Sequence, residues 1–476
     1  MGGVRTALYC YLFTKQNNGE FILRIEDTDQ KRYVAEAEEY INNALAWCGI
    51  EVAEGVKEGG NHGPYRQSER LHLYKPYADQ LIASGNAYYA FDTSEELNAL
   101  RERLQNEGSS VQSYAAATRM GMRNSLTLSE EETQTLLTNG TPYVIRMKIP
   151  ENESIRFTDR IRGEVVFDSN QLDDKVLLKA DGFPTYHMAN VIDDHLMEIS
   201  HVIRGEEWLP STPLHVLLYD KLGWKESMPE FAHLPLILKP EGKAYFDEDK
   251  KALVDGYKEM GFSAAAFINF LALLGWNGGT EQEIFSMEEL IKQFSLERVS
   301  KSGARFDFDK AKWFNQQYLK NIANEIIVEN LKKHENASAY TDGLIDQLLP
   351  IFKERLTFPN DFWDQSRFFV AEIEIPADKS IRKKWSPELK SHFESLKDEI
   401  ASLTNFDSTT IEETIKKYIE SNSLKFGDVL LPMRLMISGV KGGPSLFDIA
   451  AILGKEKVID RLEKGFVACD AIVAAA

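Results

Sequence analysis

The stretch Lys175–Trp208, KVLLKADGFPTYHMANVIDDHLMEISHVIRGEEW, brings a phenol, an amide, several carboxylates and a guanidinium into one short span. Tyr186 and Asn190 stand four residues apart, so on a helical turn they face the same way. Arg204 follows the apolar run His201-Val202-Ile203, and from a strand end it can fork two N–H donors onto a carboxylate. Glu206, Glu207 and Trp208 come directly after it. Taken singly, Asp193, Asp194, Glu206 and Glu207 fit the ordinary charges of a surface loop. A second burst of carboxylates, Glu26-Asp27-Thr28-Asp29, closes the run FILRI, where Glu26 can receive an ammonium group. Thr28 or Asp29 capping the next helix is a compatible reading. At the N-terminus Gly2-Gly3 precede Leu8, Tyr11 and Leu12, a stripe at helical spacing. A glycine pair opening a helix lets the backbone approach a phosphate closely, although the pattern also fits a frayed end.

These side chains need strands and helices to hold them. Phe21–Ile25, Tyr143–Ile149, Ile161–Phe167, Val176–Leu178 and His201–Ile203 read as strands, and polar groups gather at the ends of several. Ligands of open α/β sheets sit outside the carboxyl ends of the strands. Leu71–Ser84 reads as an amphipathic helix stopped by Gly85. A second helix, capped by Ser211 or Thr212 with Pro213 in its first turn, runs toward Gly223. Asp92–Gly140, rich in Glu, Gln, Ser and Asn, reads as a helical insertion between sheet pieces, and from Phe262 onward the period is largely helical.

Length and composition narrow the class. With 476 residues and 43% hydrophobic residues the chain has room for several domains with real cores. A net charge of −19 argues against a generally basic nucleic-acid surface but leaves local patches open, Arg382-Lys383-Lys384 among them. Cys10, Cys48 and Cys469 show no CxxC spacing, so neither a disulfide framework nor a zinc site is expected. The most apolar run, Phe262–Trp276, is short and carries Asn269, which suits a buried helix better than a membrane span. A soluble cytoplasmic protein without a membrane or metal site is the expectation.

The runs GGVRTALYCYLF, FILRIEDTD, GPYRQSER, DGFPTYHMANVIDDHLMEISHVIRGEEWLPSTPLHVLLY, FINFLALLGWN, ERVSKSGARFDFDKAKWFN and GPSLFDIAAILGKE, in this order, closely resemble bacterial glutamyl-tRNA synthetase, a class I aminoacyl-tRNA synthetase. The resemblance extends from Met1 to about Phe466. It implies an α/β fold: a Rossmann-type class I synthetase catalytic domain with a helical insertion, followed by an all-α anticodon-binding region. The expected division is 1–90 and 141–245 for the two parts of the catalytic domain, 91–140 for the insertion, 246–320 for a stem-contact helical region and 321–476 for anticodon binding. The resemblance further implies ligation of L-glutamate to tRNA(Glu) through a glutamyl-adenylate, using ATP with Mg2+, by a monomer. Glu26, Tyr186, Asn190 and Arg204 are implied as glutamate-site residues, with Arg204 on the side-chain carboxylate. Gly2, Gly3, Glu206, Glu207 and Trp208 are implied on the ATP side. Arg434 and Lys441 can touch tRNA or, equally, be helix-end charges.

Two stretches depart from the family's pattern. The His-containing fingerprint is reduced to Gly2-Gly3 behind Met1, and the strand that precedes it in the family has no counterpart here. After LPLILKPEGK the chain enters AYFDEDKKALVDGYKEMGF without a KMSKS-type loop. Lys243, Lys250 and Lys251 are weak surrogates there, and Lys301-Ser302 belongs to a different landmark. Losing one donor to a developing oxyanion commonly costs about 10²- to 10³-fold, so a catalytically impaired, non-catalytic tRNA-binding relative is the alternative expectation. A shorter paralog that modifies a tRNA base lacks the helical region that Lys425–Glu456 represents.

Overall fold

The computed structural model describes residues 1–28, 36–109, 113–239, 241, 254–341 and 343–475. In chain order its first elements are α1 (Gly2–Gln16), β1 (Ile22–Leu23), α2 (Ala37–Trp47), β2 (Glu54–Gly55), α3 (Leu71–Ala83) and β3 (Ala87–Ala90). Two polar helices follow, α4 (Ser94–Asn106) and α5 (Glu130–Thr138). Each opens with a capping box, Thr93 with Glu96 and Ser129 with Glu132, which explains why so polar a segment is helical. Then come β4 (Val144–Met147), β5 (Ser154–Asp159), β6 (Gly163–Asp168), β7 (Val176–Leu178), α6 (Tyr186–Leu196), β8 (His201–Gly205) and α7 (Thr212–Lys221). β9 (Glu230–Leu234), β10 (Ile237–Leu238) and β11 (Ala304–Arg305) complete the strands.

The site is positioned by a four-stranded sheet in the order β6-β5-β9-β8. β5, β9 and β8 run parallel, while β6 is antiparallel to β5. Burial alternates along β5, with Ile155, Phe157 and Asp159 turned inward, as the two-residue period of a strand requires. Parallel direction brings the carboxyl ends of β5, β8 and β9 to one edge, and the register sets Arg204 opposite His233. A neighbouring antiparallel sheet, β3-β4-β7, shares a core with α3, α6 and α7 through Tyr74, Ile145, Leu177, Met188, Ile192 and Leu217. Each such side chain contributes about 1.5–3 kcal/mol on full burial.

Several differences from the sequence reading have local causes. The FILRI strand is paired only over Ile22–Leu23, to β2, with Ile25 bridging Arg66 further on. β5 is not among the strands expected from the sequence, although Ile155 and Phe157 alternate with Arg156 and Thr158 as in a half-buried strand, because the segment is short and flanked by Glu and Asn. Gly85 does stop α3, at φ 74°. The apolar run forms the helix Ala264–Leu273, and the buried Asn269 accepts the Phe285 N–H at 2.8 Å. Among the described residues no helix is long and apolar enough to cross a membrane. Asp29 and the lysines at 243, 250 and 251 lie outside the described residues.

The chain divides into two compact units, Met1–Gly256 with Phe267–Phe308, and Tyr257–Ala266 with Asp309–Ala476. In the second the described regular elements are helices, ending with Phe426–Ser438, Leu446–Leu453 and Lys455–Ala474. Its core gathers Leu348, Phe352, Phe362, Ile400, Ile419, Leu435 and Leu462. Arg461 crosses that core and donates to the carbonyls of Ile437 and Phe368. A buried guanidinium is tolerable there because it satisfies carbonyls in the last turns of two helices, where no helical N–H follows.

Candidate functional site

Arg204 leaves the carboxyl end of β8 with its guanidinium half-buried among neutral acceptors. Nη1 donates to the Tyr186 hydroxyl at 2.9 Å and Nε to His233 Nε2 at 3.1 Å. Nη2 donates to Thr212 Oγ1 at 2.9 Å and, more weakly, to the Trp208 carbonyl at 3.4 Å. These bonds take four of the five N–H groups a guanidinium carries, leaving one on Nη1. A two-donor fork onto a carboxylate, as the sequence suggested, therefore requires one of these partners to yield; the weakly held Trp208 carbonyl is the cheapest. Tyr186 opens α6, and its ring lies 4.7 Å from that of Trp208 and 5.7 Å from that of His215. Burial raises the Tyr186 pKa, Arg204 opposes the rise and Glu26 adds to it, so the phenol lies within the field of both charges.

One helical turn further, Asn190 and Glu26 meet through a residue that the sequence reading passed over. Arg24 donates from Nη2 to Glu26 Oε1 at 3.2 Å and to Asn190 Oδ1 at 3.3 Å, and from Nη1 to Asp194 at 2.9 Å. Burial works against the Arg24 charge, but Asp194, Glu26 and Asp193 together hold its pKa above the usual value. Burial also pushes the Asp194 carboxyl up, against the pull of Arg24. Arg24 precedes Glu26 by two positions in an extended run, so both project to one side, a signal present in the sequence.

Asp193 and Asp194 do not belong to a surface loop. Asp193 is fully buried and receives Arg70 Nε at 2.7 Å, Gln67 Nε2 at 2.9 Å and the Tyr74 hydroxyl at 2.9 Å. Below Arg204, the equally buried Asp159 accepts His233 Nδ1 at 2.6 Å and the backbone N–H groups of His233, Ile161 and Arg162. Burial alone would raise Asp159, but these bonds hold it below its usual value, while burial depresses His233.

The residues expected on the ATP side are placed differently from one another. Gly2 and Gly3 form the first turn of α1, and a Cβ at Gly3 would meet no heavy atom within 4 Å, so the space beside that turn is open. Glu206 is committed inside the protein, pairing with Arg162 and accepting the Leu236 N–H at 3.0 Å. Glu207 is exposed, and its carboxylate fills the space a Cβ on Gly205 would need. Trp208 is 40% exposed. Arg434 and Lys441 belong to the second unit. There Lys441 pairs with Asp378, the residue that caps the helix Lys379–Lys384, and the buried Nη1 of Arg434 has no hydrogen-bond partner among the described residues.

A guanidinium bonded to a phenol at the end of β8, with an amide one turn along the same helix joined through Arg24 to a carboxylate, has the group types that can hold a small zwitterion bearing an extra acid group. Residues 1–313 match the family model for tRNA synthetases class I (E and Q), catalytic domain, and residues 311–466 match the anticodon binding domain. A relative named glutamate–tRNA ligase, from Cytophaga hutchinsonii, is 48% identical over 97% of this chain and 94% of its own length. The chain belongs to the glutamate–tRNA ligase family of class I tRNA synthetases. A solved family member, the glutamate tRNA ligase from Elizabethkingia meningosepticum in complex with its amino acid, superposes with a TM-score of 0.89 at 46% identity, covering 98% of this chain and 96% of that one. The glutamate-tRNA synthetase from Elizabethkingia anophelis superposes equally well, at 45% identity with the same coverage. A class I synthetase catalytic domain followed by an anticodon-binding domain is thus the organisation of this chain, which removes the shorter paralog from consideration.

Proposed function

We propose that this protein activates L-glutamate with ATP and Mg2+ to glutamyl-adenylate and passes the glutamyl group to tRNA(Glu). Ligation of glutamate to tRNA rests on family membership over nearly the whole chain. One observation carries the site assignment: Tyr186 accepts from Arg204 while lying in the field of Glu26, so cationic and anionic groups suited to the two ends of glutamate flank one phenol. In this reading Arg204 and Tyr186 take the side-chain carboxylate, Glu26 the ammonium group, and Asn190 orients the ligand. Glutamine would leave part of the Arg204 charge unpaired, a mismatch that favours discrimination.

Adenylate formation is an in-line attack of a carboxylate on the α-phosphate, so the protein contributes position and positive potential rather than a nucleophile. The N–H groups at the first turn of α1, beside the open space at Gly3, suit a phosphate. Glu207 and Trp208 follow the end of β8, next to Arg204, whereas Glu206 acts there through its bonds to Arg162 and Leu236. ATP, with Mg2+ on its phosphates, supplies the activated phosphoryl centre. We assign stem contact to 246–320, anticodon contact to 321–476 including Arg434 and Lys441, and a monomeric cytoplasmic state. The non-catalytic alternative rests on the two departing stretches of sequence alone, and the relatives, named glutamate–tRNA ligase over nearly the whole chain, give it no support. Glutamate-dependent ATP–pyrophosphate exchange with tRNA present, followed by tRNA charging, tests the proposal; signal at background in both assays would overturn it.

A further inference from the structure

We infer that Asp159 and His233 are positioning residues that set the hydrogen-bonding state of the imidazole so that it accepts from, and thereby aims, the Arg204 guanidinium at the amino acid. The inference rests on the reading of Arg204 as a glutamate-site residue and deepens it.

Two groups face His233 Nε2, each at 3.1 Å: the Thr212 hydroxyl, which can donate or accept, and Arg204 Nε, which can only donate, so Arg204 is the neighbour that calls for a lone pair on Nε2. The ring proton then sits on Nδ1, 2.6 Å from Asp159 Oδ2, where a carboxylate can only accept. Both side chains are sealed from solvent, so water cannot substitute for a lost partner. Asp159 is itself immobilised: Oδ1 takes the N–H groups of Ile161 at 3.0 Å and Arg162 at 2.8 Å, and Oδ2 takes the His233 N–H at 3.0 Å. The strand register completes the device, since Arg204 and His233 are direct neighbours on parallel strands and their side chains leave the same face. With Nε tethered, the guanidinium plane can turn only about that bond, and Nη1 and Nη2 fall on Tyr186 and Thr212. Arginine is long and rich in rotamers; holding it from behind removes freedom that glutamate binding would otherwise have to take away.

Replacing the carboxylate by its amide reverses the ring. In Asp159→Asn the two backbone N–H groups keep the amide oxygen in the Oδ1 position, which puts the NH2 group against Nδ1 and takes the acceptor from the His233 backbone N–H. The ring proton moves to Nε2, and two donors then face each other between His233 and Arg204. His233→Gln, by contrast, can keep an acceptor near the Nε2 position while giving up the bond to Asp159.

The experiment uses the full chain with 15N-labelled histidine, His233 being assigned by its absence in His233→Gln, together with calorimetric titration of L-glutamate and of a non-hydrolysable ATP analogue. The unaltered chain is expected to show His233 as the Nδ1–H form. Asp159→Asn is expected to show the Nε2–H form and to weaken glutamate about tenfold or more, with His233→Gln losing less and the ATP analogue bound unchanged in both. An Nε2–H form in the unaltered chain overturns the inference, as does glutamate binding by both variants at the unaltered affinity. If Asp159→Asn does not fold, the form of the native ring and the response of His233→Gln still decide. No glutamate binding by the unaltered chain would overturn the site reading, and this inference with it, even if the native ring carried its proton on Nδ1.

Discussion

Arg70 Nε lies 2.7 Å from Asp193 Oδ1, and the two side chains are 3% and 0% exposed. Asp193 also receives Gln67 and the Tyr74 hydroxyl, so its carboxylate ties α6 to α3 and to the turn before it. A buried ion pair adds little net stability over an apolar pair, but breaking one partner leaves the other charge stranded. Asp193→Ala is therefore expected to destabilise the first unit by about 3–5 kcal/mol, read as a lowered urea midpoint. Arg70→Met combined with Asp193→Leu should recover part of that loss, because no charge remains buried without a partner. Equal stability of the single and double variants would contradict this.

Tyr186→Phe separates the phenol's bond from its bulk. The ring and its packing on Trp208 remain, while Arg204 Nη1 loses its acceptor at 2.9 Å. A loss of about 1–2 kcal/mol in glutamate affinity is expected, roughly five- to thirtyfold, with ATP affinity unaffected. Arg204→Ala should abolish measurable glutamate binding. Pyrophosphate exchange as a function of glutamate concentration checks both, and a change confined to the ATP dependence would place Tyr186 in a different subsite.

His187 Nδ1 stands 3.1 Å from His215 Nε2. Burial is the main cause that pushes the His187 pKa down to about 4, aided by the charges of Lys175 and Arg204, and burial drives His215 well below its usual value. Below the unfolded value of 6.5 the unfolded chain takes up protons that the folded chain refuses, so stability falls as pH drops. For His187 the loss is complete near pH 4, where the folded state takes up its own proton. Denaturation midpoints between pH 7 and pH 4 should decline, and His187→Gln should flatten the part that His187 contributes. An unchanged slope in that variant would assign the decline to other groups.

Local pattern was enough where one element decides the outcome. The α7 helix, the buried helix at Ala264–Leu273 and the strand end bearing Arg204 are visible in spacing and turns, because each follows from residues within about a dozen positions. Neither Ser211 nor Thr212 caps α7 with its side chain, however, and Thr212 takes Arg204 instead. What local pattern does not show concerns partners remote in sequence. Asp193 looks like a loop charge until Arg70, Gln67 and Tyr74, more than a hundred positions earlier, enclose it. Asp159 and His233 carry no sequence signal of their own, since a histidine in EFAHL reads as an ordinary strand residue. Glu206 is adjacent to the motif, yet folding commits it to Arg162 and Leu236. Periodicity says which face a side chain takes, and only tertiary packing says what it meets there.

The helical unit offers a comparison between a committed and an uncommitted cation. Lys441 is exposed but paired with Asp378, which in turn caps a helix through the Ser380 N–H at 2.8 Å. Arg434 is pushed to a lower pKa by burial and by the nearby Arg355 charge, and its Nη1 lacks a hydrogen-bond partner among the described residues. A phosphate would relieve that repulsion at Arg434, whereas at Lys441 it must first displace Asp378. Arg434→Ala is therefore expected to weaken tRNA binding and to lower the slope of log K against log salt concentration by about 0.7–0.9, the value of one lost phosphate contact. Lys441→Ala should change the slope less, and Asp378→Asn, by freeing Lys441, should tighten binding and steepen it. Filter-binding titrations from 50 to 200 mM salt, about the range over which such contacts are lost, separate these cases. Identical slopes for the unaltered chain and Arg434→Ala would remove Arg434 from the tRNA surface.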